Sequence, residues 1–324
     1  MNLHRRRLLA AGLCLPLAGL LGCVRPIPLL RVASIVWVGY EPLFMARALG
    51  YYDHVRLRLV EAPSNTDSLM ALATGDVEAA CLTLDECLIA REGGLDLRII
   101  MVFDDSAGAD VIMARPEIKS LADLRGKRIG VENTANGALM LAKTLGMAGL
   151  APADIIKVPV SGDIQITSYR THKVDALVSF EPYATRLAAL GAMRLLDSTR
   201  FPGLIVDVLA VRASAIEGFQ SQLRELVRGY FRALDHLTRA PHNAAALMAP
   251  RMGISADEVL HALQGVRMMD RAANLTWLAG PEPRLMSVAK NIGSIMHQAG
   301  LLHSTPNLGS LADPRFLPQS EGTA

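Results

Sequence analysis

Residues 31–50 read Arg31-Val-Ala-Ser-Ile-Val-Trp37-Val38-Gly39-Tyr40-Glu41-Pro42-Leu-Phe-Met-Ala-Arg-Ala-Leu-Gly50. Arg31–Val38 is rich in β-branched residues and predicts a strand. Proline then stands just inside a helix over Pro42–Gly50, where its missing N–H is not needed, and glycine ends it. The unit recurs downstream. Val55–Val60 reads as a strand, Thr66 as the cap of a helix over Asp67–Thr74 that Gly75 stops, and Val77–Leu82 as a strand. Asp85–Glu92 reads as a helix ended by Gly93-Gly94, and Leu97–Phe103 as a strand. Short apolar strands alternating with helices predict a largely parallel sheet with helices on both faces.

The rhythm restarts after Asp104-Asp105-Ser106-Ala107-Gly108. Strands are expected at Ala109–Ala114, Arg128–Glu132, Ile155–Val160, Val174–Phe180 and Met193–Asp197. Helices are expected at Ala135–Ala148, Ile164–Thr171 and Pro182–Leu190, with a short one opened by the capping box Ser120–Asp123. Ile205–Arg212 reads as a strand leaving this second unit. From Phe219 the pattern is wholly helical, with Leu223, Leu226, Val227, Tyr230, Phe231, Leu234 and Leu237 on one stripe and a further helix over Pro281–Ala299. These helices need a sheet to cover, and the first unit offers one. The pattern therefore predicts two α/β lobes, with the chain crossing between them near Asp104–Ala109 and near Ile205–Asp207.

The N-terminus reads as a targeting segment. Met1-Asn-Leu-His4-Arg5-Arg6-Arg7, the apolar run Leu8–Leu21 and Gly22 predict an export signal over residues 1–22. The run is shorter than the roughly 20 residues of a spanning helix. Leu20-Leu21-Gly22-Cys23 resembles a lipobox, which implies lipidation of Cys23 and a tether over residues 23–30. His4–Leu9 also resembles a twin-arginine signal, and both export routes stay open. Loss of the signal removes Arg5, Arg6 and Arg7 and no acid, so the formal charge of +2 becomes −1. The mature chain then has no basic excess that would suggest nucleic acid. Cys81 and Cys87 are expected as buried thiols. With no CxxC pair and no Cys/His zinc spacing, neither a metal nor a cofactor is expected.

Four stretches carry a family resemblance. They are Trp37–Ala46 with Leu49-Gly50-Tyr51-Tyr52, Leu72-Ala-Thr-Gly75-Asp-Val-Glu78-Ala79-Ala80, Ser120-Leu-Ala-Asp-Leu-Arg-Gly126-Lys-Arg-Ile-Gly130-Val-Glu132, and Val174-Asp175-Ala176-Leu-Val-Ser179-Phe180-Glu181-Pro182. Together, over most of residues 31–212, they resemble the periplasmic binding proteins for nitrate, sulfonates, taurine and thiamine-pyrimidine precursors. The resemblance implies a two-lobed type II clamp that is not an enzyme. Lobe I would comprise residues 31–106 and 207–324, and lobe II residues 107–206. It implies a lipid-anchored periplasmic monomer that delivers a small-molecule ligand to an ABC permease. The same clamp can instead report its ligand to a signalling receptor, and related folds include enzymes with a nucleophilic cysteine or a cysteine-rich iron segment. This chain has no such segment, and Cys81 lies in an apolar strand run.

Ligands of open α/β sheets sit at the carboxyl ends of strands, beside free helix N-termini. That rule selects Trp37, Tyr40, Glu41, Asn65, Thr66, Thr83, Asp85, Asp104, Ser106, Glu132, Thr134, Asn136, Ser179, Glu181 and Asp207. Most have a structural alternative. Trp37 can end a core strand, Glu41 can cap the helix before Pro42, and Thr83 or Asp85 can cap the next. Asp104, Asp105 and Asp110 crowd the first crossing, as a solvated hinge or around something cationic. Glu181-Pro182 repeats Glu41-Pro42 on the other lobe. Helix N-termini favour an anion, whereas the many acids and the lack of Lys or Arg in these loops favour a neutral or cationic nitrogenous solute.

Overall fold

The computed structural model describes residues 28–318. The expected signal, Cys23 and most of the tether lie outside the described residues. The first half alternates β1 (Leu30–Ser34), α1 (Glu41–Ala48), β2 (Leu57–Glu61), α2 (Asn65–Thr74), β3 (Ala79–Thr83), α3 (Leu84–Glu92) and β4 (Leu97–Ser106). The next unit runs β5 (Asp110–Ala114), β6 (Arg128–Val131), α4 (Ala135–Ala148), β7 (Ile156–Pro159), α5 (Gln165–Arg170), β8 (Ala176–Phe180), α6 (Tyr183–Ala188) and β9 (Met193–Asp197). The chain then returns through β10 (Val206–Arg212) into α7 (Ile216–Arg239), α8 (Pro241–Met252), α9 (Ala256–Leu263), β11 (Val266–Met268), α10 (Arg271–Leu278) and α11 (Arg284–Gln298).

Two sheets result, in the orders β11-β4-β10-β3-β1-β2 and β7-β6-β8-β5-β9. Each is mixed rather than largely parallel. β1 pairs parallel with β2 and β3, but β10 inserts antiparallel between β3 and β4. In the other sheet β6 pairs parallel with β7 and β8, and β5 antiparallel with β8 and β9. β10 is buried on both faces and apolar apart from Asp207 and Arg212, so its composition carries no sign of its direction.

The helices that follow β10 close over the first sheet: α7 packs on α1 and β1, α10 on β4, and α11 on α3. Phe103 at the end of β4 stacks edge-on with Tyr40 at 5.0 Å and with Tyr230 of α7 at 5.1 Å, so aromatic packing runs from the cleft floor to the outer helices. The expectation of an all-helical C-terminal part is corrected by β11, which is three residues long and pairs with Asp104–Ser106 of β4. A strand that short has no readable period. Gly265 just before it accepts the Ala107 and Ala109 amides, at 2.8 and 3.0 Å, and a Cβ there would lie 2.8 Å from the Ala109 nitrogen.

Two cap expectations are also corrected. Ser64, not Thr66, caps α2, accepting the Asp67 amide at 3.2 Å. Glu41 is the first residue of α1 rather than its cap. Between the sheets the crossings lie side by side: the Ser106 amide donates to the Ile205 carbonyl at 2.9 Å, and the Ser106 and Ser198 hydroxyls are 2.8 Å apart.

Candidate functional site

Register across the first sheet builds the floor of the cleft. Asp207 of β10 lies opposite Thr83 at the end of β3 on one side and opposite Asp104 of β4 on the other. The Trp37 indole N–H donates to Asp104 Oδ2 at 3.2 Å, and the Tyr40 hydroxyl donates to Asp207 Oδ1. Gly39 lets Asp104 come so close to Trp37, since a Cβ there would lie 1.8 Å from Asp104 Oδ2.

The other wall comes from the second sheet. Thr134 caps α4 by accepting the Gly137 amide at 3.1 Å, and Asn136 donates to Asp110 Oδ1 at 2.9 Å. Glu132 accepts the Gly162 amide at 2.6 Å. Trp37 meets Phe180 of β8 edge-on across the cleft, with centroids 6.0 Å apart, and Thr66 donates to the Asn133 carbonyl at 2.7 Å.

The walls enclose a cavity of about 20 Å³ lined by Ile35, Trp37, Asn65, Thr83, Asp110, Glu132, Thr134, Asn136, Phe180, Ile205 and Asp207. A single water needs roughly 10–15 Å³, so this half-open space has room for about one water, and parting the lobes at the Thr66–Asn133 bond would enlarge it for a solute. Seven expected residues line this space: Trp37, Asn65, Thr83, Glu132, Thr134, Asn136 and Asp207. Asp104, Asp85 and Tyr40 lie beneath it, fully buried.

Four expected residues are engaged elsewhere. Glu41 turns away from the cleft and pairs with Arg251 of α8, whose guanidinium also bonds Glu61 at 2.9 Å and the Ile35 carbonyl at 3.1 Å. Glu181 accepts the Thr185 amide at 3.1 Å and hydroxyl at 2.7 Å and lies 3.5 Å from Arg194, so it serves the start of α6. Ser179 donates to Gln165 at 2.5 Å, and Ser106 belongs to the crossing. The Glu-Pro likeness therefore did not place the two glutamates at opposite walls of the cavity. Asp110, legible in the sequence as one of three acids at a solvated hinge or around something cationic, lines the cavity as well. Ile35, Phe180 and Ile205 carried no signal beyond their place at strand ends.

The electrostatics are one-sided. No Lys or Arg is among the described residues lining the cavity. Burial pushes Asp85 and Asp110 up to about 6 and Asp104 and Glu132 up to about 7. Asp207 is raised well above the carboxylate range by burial and by Asp104. Around this space Asn65 Oδ1, the Thr83 hydroxyl, Asp85 Oδ1 and Oδ2, Asp104 Oδ1, Asp110 Oδ2, Asn136 Oδ1 and Asp207 Oδ2 find no hydrogen-bond partner among the described residues. Apart from the Thr83 hydroxyl these are amide and carboxyl oxygens, which accept when the carboxyls are ionised, so the arrangement suits a molecule that presents several N–H or O–H donors.

Two α/β lobes, joined by adjacent crossings around a cleft at their strand ends, make up the periplasmic binding protein fold. The chain belongs to the NMT1/THI5-like family, whose model matches residues 37–244. It is 26% identical over 209 residues to the Escherichia coli K12 protein named "Putative aliphatic sulfonates-binding protein", a stretch covering 63% of this chain and 65% of that protein's length. Among solved structures it is similar to the alkanesulfonate-binding protein of Xanthomonas axonopodis pv. citri bound to MOPS, with a TM-score of 0.71, 18% identity, and coverage of 86% of this chain and 95% of that one. It is also similar to a desulfurization enzyme, with a TM-score of 0.62, 19% identity, and coverage of 89% and 97%. At these identities the structural likenesses speak for the fold.

Proposed function

We propose that this chain is the lipid-anchored periplasmic subunit of an ABC importer, with lobe I formed by residues 31–106 and 207–324 and lobe II by residues 107–206. Its solute would be a small nitrogenous molecule, neutral or cationic and rich in N–H donors. Family membership and the binding-protein relative support the class. The observation that carries the ligand reading is the set of orphaned acceptor oxygens around the cavity, with no lining Lys or Arg to balance Asp110, Glu132 and Asp207. Leaving such groups unpaired costs about 1–3 kcal/mol each, which a donor-bearing ligand recovers.

A sulfonate is the second reading, favoured by the relatives' names and by the N-termini of α2 and α4 beside the cleft. The acceptor excess argues against it, because a full anion would face unpaired carboxyl oxygens. An enzyme role is disfavoured by Cys81 and Cys87: both are buried, their thiols are pushed up by burial, and neither lines the cavity. Mass spectrometry of the solute that co-purifies with a Cys23→Ser protein, followed by calorimetry with that compound, tests the proposal. An amine, amidine or pyrimidine is expected. Tight binding of an alkanesulfonate would overturn the ligand reading and leave the class intact, whereas turnover of the solute would overturn the class.

A further inference from the structure

We propose that the arginine groove formed by Arg56, Arg224, Arg228 and Arg232 is a docking surface for the anionic phospholipid headgroups of the membrane that holds the anchor. The inference rests on the proposed lipidation at Cys23. Arg224, Arg228 and Arg232 follow at intervals of four along α7, on its exposed face. Like charges at that spacing destabilise a helix, so helix formation does not account for them. With Arg56 they line a groove of about 530 Å³. Three of the four cations are held by neighbours, Arg224 by the Gln220 side chain at 3.1 Å. Arg232 lies 3.9 Å over the Tyr51 ring, and Arg56 donates to the Ser221 hydroxyl at 3.0 Å. Glu225 is the acid lining the groove, and it is occupied by the Asp53 amide at 2.7 Å and by Arg56 at 3.6 Å. Three exposed guanidinium groups remain for an anionic partner.

The course of the chain says which partner. Gln222 of α7 donates to the Pro28 carbonyl at 2.7 Å, and the Leu30 amide donates to the Arg56 carbonyl at 2.9 Å. The N-terminal segment thus joins the folded body beside the groove. Only five peptide units separate Pro28 from Cys23, a reach of at most about 18 Å. A lipid on Cys23 would hold these arginines close to the headgroup layer, where the attraction of an anionic surface persists for a Debye length of about 10 Å. Val55, 72% exposed next to Arg56, adds an apolar contact suited to the same layer. A permease that senses closure must touch both lobes. Such a permease would touch lobe I as well, and it is the N-terminal segment entering beside this groove that favours the membrane.

The test uses the mature Cys23→Ser chain, so that the surface acts without its lipid. Co-sedimentation is measured with phosphatidylethanolamine–phosphatidylglycerol vesicles and with phosphatidylcholine vesicles, at low and high salt. Binding is expected on the anionic vesicles alone, falling with salt and by about fivefold for each of Arg224→Gln, Arg228→Gln and Arg232→Gln. Solute affinity should not change. Arg228→Lys, which keeps the charge, should retain vesicle binding and controls for misfolding. Equal binding to neutral vesicles, or indifference to the three substitutions, would overturn the proposal. So would normal vesicle binding with impaired uptake, which would assign the groove to the permease. The acyl mass on Cys23 of the unmodified protein is read separately, so a failed anchor and a failed docking surface are distinguishable.

Discussion

Gly39 and Asp104 occupy a single space: a Cβ on Gly39 would lie 1.8 Å from Asp104 Oδ2 and 2.7 Å from the Trp37 indole nitrogen. The close approach lets Trp37 hold Asp104 under the cavity. Gly39→Ala should therefore displace that carboxyl, at an overpacking cost of about 1–3 kcal/mol. Thermal melting should show the loss of stability, and calorimetry with the co-purified solute should show weaker binding. Unchanged binding would mean that Asp104 does not contribute to the site.

Protonation offers a test of ligand charge. Burial raises Asp104 and Glu132 to about 7 and Asp110 to about 6, so the folded chain holds protons that an unfolded chain releases near pH 4. The stability these groups contribute is complete below the ordinary carboxyl range and is lost as pH rises through about 7. The ligand-free protein should melt at a higher temperature at about pH 5 than at about pH 8. A cationic solute favours the ionised carboxyls, so its binding should release protons and tighten as pH rises across the same window. Calorimetry in buffers of different ionisation enthalpy reads the proton count. Proton uptake on binding would indicate an anion.

Asp207→Asn separates the site from the fold. It keeps the size and an acceptor for Tyr40 but removes a carboxyl that a bound cation would ionise. A charge-assisted bond to a ligand cation contributes about 1.5–3 kcal/mol, so affinity should fall by roughly tenfold to a hundredfold. The ligand-free melting temperature should rise at neutral pH, because a carboxyl crowded by Asp104 is relieved. Unchanged affinity would remove Asp207 from the ligand contacts.

Arg251 and Glu41 are a structural pair. The Glu41 carboxyl is buried and raised to about 7 by that burial, against the lowering by Arg251. Arg251→Ala leaves the acid unpaired and also removes the guanidinium that lies 3.5 Å over Phe44. A loss of about 3–5 kcal/mol is expected in denaturant unfolding. Replacing both as Glu41→Gln and Arg251→Met should recover much of it. Solute affinity of the folded double variant should stay within twofold or so of the parent.

Glu181→Gln should be nearly silent for binding. Its carboxylate serves Thr185 at the start of α6, and an amide oxygen can still accept there. A stability change of about 0.5–2 kcal/mol, as for a cap, is the expected effect. A tenfold loss of affinity would place Glu181 at the ligand after all.

The sequence by itself determined most of the elements, β11 excepted, and the doubled α/β plan, because strand and helix periods and glycine or proline punctuation are local properties. α4 and β9 fall where the pattern placed them, and most other bounds shift by one to three residues. It also indicated strand-end loops rich in acids and poor in cations. Only the tertiary structure decided which of those acids face the cavity. Glu41 and Glu181 share the same Glu-Pro sequence context, yet each turns to a long-range or neighbouring partner, Arg251 in one case and Thr185 with Arg194 in the other. Asp207 and Asp104 are 103 positions apart and meet because β10 runs antiparallel beside β4. Direction and register of a strand buried on both faces depend on its neighbours, and a local pattern of hydrophobic residues contains neither.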